Sequence, residues 1–226
     1  GMSRFGVTYT DNGTTTTTAQ TSRFLLNIDG SATTDSGMTL GARVRIRQNN
    51  GLTADHQNGN FNSARFNLTS GGLTLGVGNI LGALDSAPNV YAGTVGLTGL
   101  GFGNVATGFA AHGYDSEGRG AAQNNGGVEL IYSMGDYGLH VSSDGVTTEV
   151  VASGTMSGIT AAVGVSDAEA ADARTDLLLT IGGSFGSIDA ALAYASNSND
   201  TTRTTISMGM DIGAATRMSA YVGDNG

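Results

Sequence analysis

The fold is decided by the stretch SRFLLNIDGSATTDSGMTLGARVRIRQ, residues 22–48. Because successive side chains of a β-strand point to opposite faces, a strict alternation of residue types gives a strand two different faces. The second half of the stretch alternates in this way, with Leu40, Ala42, Val44 and Ile46 on one face and Gly41, Arg43, Arg45 and Arg47 on the other. The first half repeats the pattern, with Phe24, Leu26 and Ile28 against Arg23, Leu25, Asn27 and Asp29. The stretch therefore predicts a hairpin with an apolar face and an arginine-rich face.

Two architectures accommodate such a hairpin. In a soluble β-sandwich the apolar face covers a core and the arginines face bulk water, whereas in a transmembrane β-barrel the apolar face meets lipid and the arginines line a lumen. Like charges repel when they share one face of a strand pair, so an open surface of this kind would be unusual. The arginines favour a lumen wall.

The composition is that of a β-protein with little solid core. Hydrophobic residues make up 39% of the 226 residues and aromatic residues 6%, and the chain has 37 glycines but a single proline, Pro88. Globular domains are usually about 45–50% apolar. Many glycines with almost no proline suit long β-ladders joined by tight turns. Since no stretch has the composition of a linker, we expect one domain over residues 1–226.

Charge and cysteine content exclude several classes of protein. The net charge of -9 argues against a general nucleic-acid binder, which needs a basic surface. All ten basic residues are arginines, whose fixed, permanently ionised guanidinium suits an electrostatic lining. The absence of cysteine excludes disulfides and thiol chemistry. No apolar run reaches the ~20 residues of a transmembrane helix, and from these residues we expect no signal peptide ahead of Met2.

Segments with a period of two follow one another along the whole chain, and no helical period of 3.6 competes with them. The pattern predicts an all-β antiparallel meander of thirteen strands, at 3–10, 22–29, 38–48, 63–69, 73–79, 127–133, 137–143, 147–153, 158–166, 176–183, 188–196, 203–211 and 216–223.

The connectors alternate in length. Those after the even-numbered predicted strands are short, whereas those after the odd-numbered strands are mostly longer and more polar, as at 11–21, 49–62 and 167–175. The short connector 144–146 is an exception. Short turns at one end of the sheet and long loops at the other are typical of an outer-membrane barrel.

One connector, Ile80–Gly126, is far longer than the rest. A compact domain seldom has so long a loop without a function for it. If this connector folds into the lumen, its carboxylates face the arginine wall and form a charged constriction. The predicted constriction is built from Arg23, Arg43, Arg45, Arg47 and Arg65 on the wall and from Asp85, Asp115 and Glu117 on the connector.

The stretch 22–30, the segment 37–51 and the run 75–85 resemble the general porins of Rhodobacter-type α-proteobacteria, as does the segment 215–222. The resemblance covers nearly the whole chain. It implies a sixteen-stranded transmembrane barrel with its third loop folded inward, of which about thirteen strands are present because the chain begins within strand one and stops about three strands short. Matching residues are Arg23, Arg43, Arg45 and Arg47 for the basic wall, Asp85 for the acidic loop, and Asp115 and Glu117 for its distal part.

The resemblance also implies a function and partners. A porin of this type is a homotrimer in the outer membrane of a Gram-negative bacterium, in contact with the lipid bilayer and lipopolysaccharide, and it lets ions and small hydrophilic solutes diffuse passively. Oxygen ligands on the connector make calcium possible at Asp85, Asp115 and Glu117. No catalytic constellation is visible, so we expect no enzyme. A secreted or surface β-rich structural protein or adhesin is the alternative, although no fixed sequence repeat supports it.

Overall fold

The computed structural model describes residues 1–50, 59–91, 114–116, 126–168, 174–197, 201–214 and 216–224. Within these ranges no helix is long and apolar enough to cross a membrane. The strands are β1 Met2–Asp11, β2 Thr16–Thr33, β3 Thr39–Asn50, β4 Asn60–Phe61, β5 Arg65–Ser70, β6 Leu73–Asn79, β7 Gly126–Met134, β8 Tyr137–Ser143, β9 Thr147–Met156, β10 Ile159–Ala168, β11 Arg174–Phe185, β12 Ile188–Ser196, β13 Thr202–Gly213 and β14 Thr216–Asp224.

These strands form one antiparallel sheet in chain order, from β1 at one end to β14 at the other. The two-residue strand β4 is off this path and pairs with β3 alone. Each of the thirteen predicted segments falls on one of the thirteen longer strands, which confirms the predicted all-β meander. The extra strand β4 lies within the predicted connector 49–62.

The long polar connector predicted at 11–21 is wrong, because β1 and β2 continue until only residues 12–15 separate them. The side-chain oxygen of Asn12 accepts hydrogen bonds from the backbone N–H groups of Thr14 and Thr15, at 3.0 and 2.7 Å. An asparagine side chain that binds the following backbone closes a tight turn. The threonines beyond it are β-branched and favour a strand despite their polarity.

Short turns follow the even-numbered predicted strands, as predicted, although the turn between β9 and β10 lies at 157–158 and not at 154–157. At Gly71–Gly72 both central residues have positive φ, 56° and 82°, and at Ser157–Gly158 the values are 53° and 80°. A two-residue hairpin of type I′ requires positive φ at both positions, and its twist matches that of the strands. These turns fix the register of the hairpins that they close.

The register gives the sheet two faces of opposite character. Asn27 and Asp29 of β2 lie opposite Arg45 and Arg43 of β3, while Leu26 and Ile28 lie opposite Ile46 and Val44 on the other face. We call the face that carries Arg43 the inner face and the opposite one the outer face. The predicted division of the hairpin into an arginine face and an apolar face is confirmed.

In this sheet large apolar side chains are exposed and carboxylates are buried, which is the reverse of the arrangement in a soluble protein. Large apolar side chains of the outer face are open, Phe5 being 89% and Val7 73% exposed, whereas Glu129, Glu149 and Asp176 on the inner face are 0% exposed. Soluble domains almost never bury carboxylates while leaving their strands' apolar side chains in water. An apolar band on the outside and polar residues within characterise a transmembrane sheet.

The buried apolar cluster lies on the inner face, where residues of the long connector pack against the sheet. Its members are Ala83, Leu84, Ala87 and Val90 from the connector and Val151, Ala162, Leu178, Ala193 and Ala195 from β9 to β12. The connector therefore covers part of the polar face. We call residues 80–91 its proximal segment and residues 114–116 its distal segment.

Candidate pore constriction

The arginines of β2 and β3 are each held by a neighbour on the same wall. Arg43 Nε lies 2.5 Å from Asp29 Oδ1, and Arg45 Nε donates to Asn27 Oδ1 at 2.8 Å, because the register places these residues directly opposite each other. Arg23 Nε donates to Asn49 Oδ1 at 2.8 Å. Acceptors on the wall itself therefore relieve the repulsion within the arginine row.

The distal segment of the connector attaches to this arginine wall. Arg47 Nη1 donates to Ser116 Oγ at 2.7 Å, and Arg47 is only 8% exposed. The guanidinium carbon of Arg45 lies 4.9 Å from the centre of the Tyr114 ring, within the range of a cation–π interaction. The arginine row therefore binds a part of the connector as well as facing the interior.

Two asparagines hold the backbone of the distal segment. Asn79 accepts from the backbone N–H of Asp115 at 2.8 Å and donates to its carbonyl oxygen at 2.9 Å. Asn62 donates to the same carbonyl at 2.6 Å and to the Tyr114 hydroxyl at 2.9 Å. Asn79 is the last residue of β6, directly before the connector, so this contact holds the distal segment beside the point where the connector leaves the sheet.

The proximal segment attaches to the part of the inner face that follows β6 in the sheet, which is acidic. Three backbone N–H groups of the segment donate to side-chain oxygens on three neighbouring strands: Leu81 to Glu129 Oε2 at 3.0 Å, Ala83 to Ser142 Oγ at 2.9 Å, and Leu84 to Glu149 Oε2 at 3.0 Å. The connector thus runs across β7, β8 and β9, and its two described segments touch walls of opposite charge.

A histidine joins the proximal segment to the same acidic wall. His140 Nε2 lies 3.0 Å from Glu129 Oε2, and its Nδ1 lies 3.1 Å from Ser86 Oγ. The Ser86 hydroxyl donates to the carbonyl oxygen of Gly82 at 2.5 Å. Since a hydroxyl has one hydrogen, that of Ser86 is not directed at the histidine. The group links the proximal segment to the acidic wall.

Asp85 lies on the proximal segment, where it accepts a hydrogen bond from the hydroxyl of Tyr91. Burial, together with this bond to a carboxylate, raises the pKa of Tyr91 above its usual value. The tyrosine therefore stays protonated and remains a donor to Asp85 throughout the neutral range. Asp85 is half-buried.

The structure brings the predicted arginines together on one face and places Asp85 and Asp115 on the two described connector segments. Glu117, the third predicted carboxylate, lies outside the described residues. The described part of the chain contains no group of three His, Asp or Glu side chains that could hold a metal ion. Calcium at Asp85, Asp115 and Glu117 stays a prediction.

Sequence reasoning missed the acidic side of the wall. Glu129, Glu149 and Asp176 each occupy the polar face of a predicted strand, which was the available signal. Once the turn between β7 and β8 fixes the register, Glu129 lies opposite Ser142, and Ser142 in turn lies opposite Glu149. Pairing the predicted strands through their turns would have aligned these residues.

Comparison with known proteins establishes the family. The model of the Gram-negative porin family matches residues 1–225. The chain belongs to that family. Family membership places this porin in the outer membrane of Gram-negative bacteria and confirms the resemblance to porins found in the sequence.

A curated relative is the porin of Fuscovulum blasticum, which is 33% identical over 144 residues. The match covers 63% of this porin and 49% of the relative, so the matched part spans about half of that protein's length.

Solved structures confirm the fold. Two engineered variants of Rhodopseudomonas blastica porin superpose on 99% of this porin with TM-scores of 0.78 and 0.76, at 24% and 23% sequence identity, and the matches cover 82% and 84% of those chains. At such identities the similarity concerns the fold alone. The predicted class, a transmembrane antiparallel β-barrel of the porin type, is confirmed.

Proposed function

We propose that this porin forms the wall of a water-filled channel through which ions and small hydrophilic solutes diffuse passively. The observation that carries the proposal is the distribution of charge on the inner face. Arginines line β2 to β5, carboxylates line β7 to β11, and the described segments of the long connector bind to both sides. A charged interior behind an apolar exterior is suited to solutes that water already hydrates.

We propose that the constriction lies between the arginine wall and the connector. Opposed charges across a narrow passage orient water and dipolar solutes, and an apolar solute must displace that ordered water to enter. The wall consists of Arg23, Arg43, Arg45, Arg47 and Arg65, and the connector contributes Asp85, Asp115 and Glu117. Calcium bound by these three carboxylates would lower the negative charge at the passage.

The apolar side chains of the outer face indicate that this face contacts lipid. Its apolar side chains, such as Phe66 and Ile206 at 53% and 46% exposed, suit the hydrocarbon of a bilayer, with lipopolysaccharide in the outer leaflet. We propose a homotrimer as the assembly, on the strength of the family resemblance. Light scattering of the full-length protein in mild detergent tests this, and a monomer would contradict it.

Porins are a family of channels rather than enzymes, and the residues of this site fit that reading. The one Ser–His–Glu contact on the described inner face, Ser86 with His140 and Glu129, has its serine hydrogen bound to a carbonyl oxygen. We therefore propose transport without a chemical step. The family assignment likewise favours a channel over a surface adhesin.

The experiment is reconstitution of the full-length protein into liposomes. Swelling should follow the concentration of a small neutral sugar linearly, without saturation, and should fall steeply as sugars of increasing size are used. Vesicles that contain heat-unfolded protein are the control. Absence of swelling by folded protein, or saturation at low sugar concentration, would contradict passive diffusion.

A further inference from the structure

Five buried side chains form a continuous row across the inner face. Register places Glu129, Ser142, Glu149, Ser166 and Asp176 in line on β7 to β11, each opposite the next. All are between 0% and 1% exposed. Ser142 donates to Glu149 at 3.0 Å, and Ser166 donates to Asp176 at 2.9 Å. We call these five residues the carboxylate–serine row.

The row supplies the acceptors that the proximal segment needs. This segment leaves the sheet after Asn79, so the backbone N–H groups of Leu81, Ala83 and Leu84 have no ladder partners. Buried backbone donors are almost always paired, because an unpaired one costs free energy. Here the acceptors are the first three members of the row, at 2.9 to 3.0 Å.

Glycines beside the row make room for the same segment. A Cβ atom at Gly164 would lie 2.6 Å from Leu84 Cδ2, and one at Gly127 would lie 2.5 Å from Ile80 Cδ1. Real Cβ atoms do not approach other heavy atoms so closely. The Leu84 and Ile80 side chains of the segment, together with Val151 and the Ser143 carbonyl of the sheet, occupy the space that a Cβ atom would need at these two glycines.

From these contacts we propose that the carboxylate–serine row and the neighbouring glycines form a seat that fixes the position of the proximal segment and thereby sets the cross-section of the channel. Glu129, Ser142 and Glu149 are then positioning residues for transport, although they lie beneath the connector. This inference rests on the proposed channel function. It adds which residues of the wall determine the width of the passage.

Glu149 allows a sharp comparison of substitutions. Glu149→Leu removes the acceptor of the Leu84 N–H group and of the Ser142 hydroxyl, whereas Glu149→Gln keeps an oxygen that accepts both. Loss of a buried acceptor shifts such an equilibrium by roughly ten- to hundredfold. We expect Glu149→Leu to raise the ratio of unseated to seated segment by that factor and Glu149→Gln to change it little.

A cysteine reporter measures seating without any need for conduction. The chain has no cysteine, and Ala87 of the proximal segment is 5% exposed in the cluster under the connector. In the full-length folded protein, Ala87→Cys should react slowly with a charged thiol reagent. Adding Glu149→Leu or Gly164→Ala should accelerate labelling roughly tenfold or more, while Glu149→Gln should not. Ser36→Cys, in an exposed turn, gives the rate for an open site.

Two further variants separate release of the proximal segment from unfolding of the whole protein: a glycine substitution elsewhere on the inner face and a milder substitution in the carboxylate–serine row. Gly6→Ala places a Cβ atom on the inner face 3.6 Å from Thr21 Oγ1, an ordinary contact, and should leave the reporter protected. If Glu149→Leu does not fold, Ser142→Ala is the milder variant, because it removes the acceptor of the Ala83 N–H group and one donor to Glu149 but keeps the Glu149 carboxylate that accepts from Leu84. Circular dichroism identifies which variants keep the sheet.

Single-channel recording of the same variants gives the second readout. The seat is supported if the variants with faster labelling spend more time at a higher conductance level and Glu149→Gln resembles the parent. It is overturned if folded Glu149→Leu and Gly164→Ala keep the reporter protected, or if labelling rises with conductance unchanged. A parent that never conducts refutes the proposed channel function instead, while the labelling rates still decide whether the row seats the segment.

Discussion

Arg65 of β5 and Glu129 of β7 form an ion pair across the strand that separates them. Arg65 Nη2 lies 2.5 Å from Glu129 Oε1, and the glutamate is fully buried. On the intervening β6, Gly76 stands directly opposite Glu129, and a Cβ atom there would lie 2.5 Å from the same carboxylate oxygen. The missing side chain lets the basic and the acidic sides of the inner face meet.

We therefore expect Gly76→Ala to destabilise the protein. The added methyl group displaces the Glu129 carboxylate from a buried pair, and overpacking of this kind costs about 1–3 kcal/mol. Thermal unfolding in detergent, followed by circular dichroism, measures the loss. Gly6→Ala is the control, because its new Cβ atom makes only an ordinary contact. Equal melting temperatures for the two variants would show that Gly76 is not needed for the ion pair.

The two faces of β3 should differ in their access to water. The Arg43 side chain is 48% exposed on the inner face, whereas Val44 belongs to the outer face. In the full-length protein in liposomes, Arg43→Cys should react with a charged, impermeant thiol reagent and Val44→Cys should not. The chain has no native cysteine to confuse the result. Similar labelling at both positions would contradict the assignment of the faces.

The strands and their faces could be predicted from the sequence because alternation is a local property. The alternation of residue types around Ile46 assigns this residue to the apolar face of its strand. The folded sheet keeps that assignment, so no knowledge of distant contacts was needed. The prediction at 11–21 was wrong because it rested on the polarity of the threonines there, which indicates a loop. Their β-branched side chains favour a strand instead. The turn that ends the strands there is made by local contacts, with Asn12 accepting from the backbone of Thr14 and Thr15 and Asp11 accepting from that of Gly13.

The acidic half of the site could not be read in the same way, because it depends on contacts between distant parts of the chain. Glu149 receives its hydrogen bond from Leu84, which reaches it along a connector whose path no periodicity encodes. The common face of Arg43, Arg45 and Arg47 was predictable because the three residues alternate along one strand. Its partner Asp29 was visible on the neighbouring strand, but the pairing with Arg43 needed the register that the turn sets.

Tyr91 should stabilise the proximal segment in a manner that depends on pH only in the alkaline range. Burial and the bond to Asp85 raise its pKa, so the folded state keeps the proton when the unfolded state begins to lose it near pH 10. Stability from this group is then present below that pH and declines as the pH rises further.

Tyr91→Phe removes both the hydrogen bond and the titration. We expect it to lower the free energy of unfolding by about 0.5–1.5 kcal/mol, the usual contribution of one hydrogen bond, and by the same amount from pH 6 to pH 9. Above about pH 10 the difference from the parent should shrink, because only the parent loses stability there. Denaturant titrations across this range measure it. A difference that already changes between pH 6 and pH 9 would contradict a protonated Tyr91.

The ion pair of Arg43 and Asp29 leads to a prediction about ion selectivity. Both side chains are about half-exposed on the inner face and directly opposite each other, so each cancels much of the other's field in the channel. Arg43→Gln leaves an uncompensated carboxylate and should shift the reversal potential toward cation selectivity. Asp29→Asn leaves an uncompensated guanidinium and should shift it toward anion selectivity.

The double substitution, Arg43→Gln with Asp29→Asn, tests the pair as a unit. It removes one charge of each sign at one place, so its reversal potential under a salt gradient in planar bilayers should return close to that of the parent. Both single shifts should be large near 0.1 M salt and mostly lost near 1 M, because the screening length falls from about 10 Å to about 3 Å. Arg43→Lys keeps the charge and should shift little, which separates electrostatics from shape. If the two single variants shift selectivity in the same direction, or if the double variant departs further from the parent than either, the two charges do not act together on ions that pass the arginine wall.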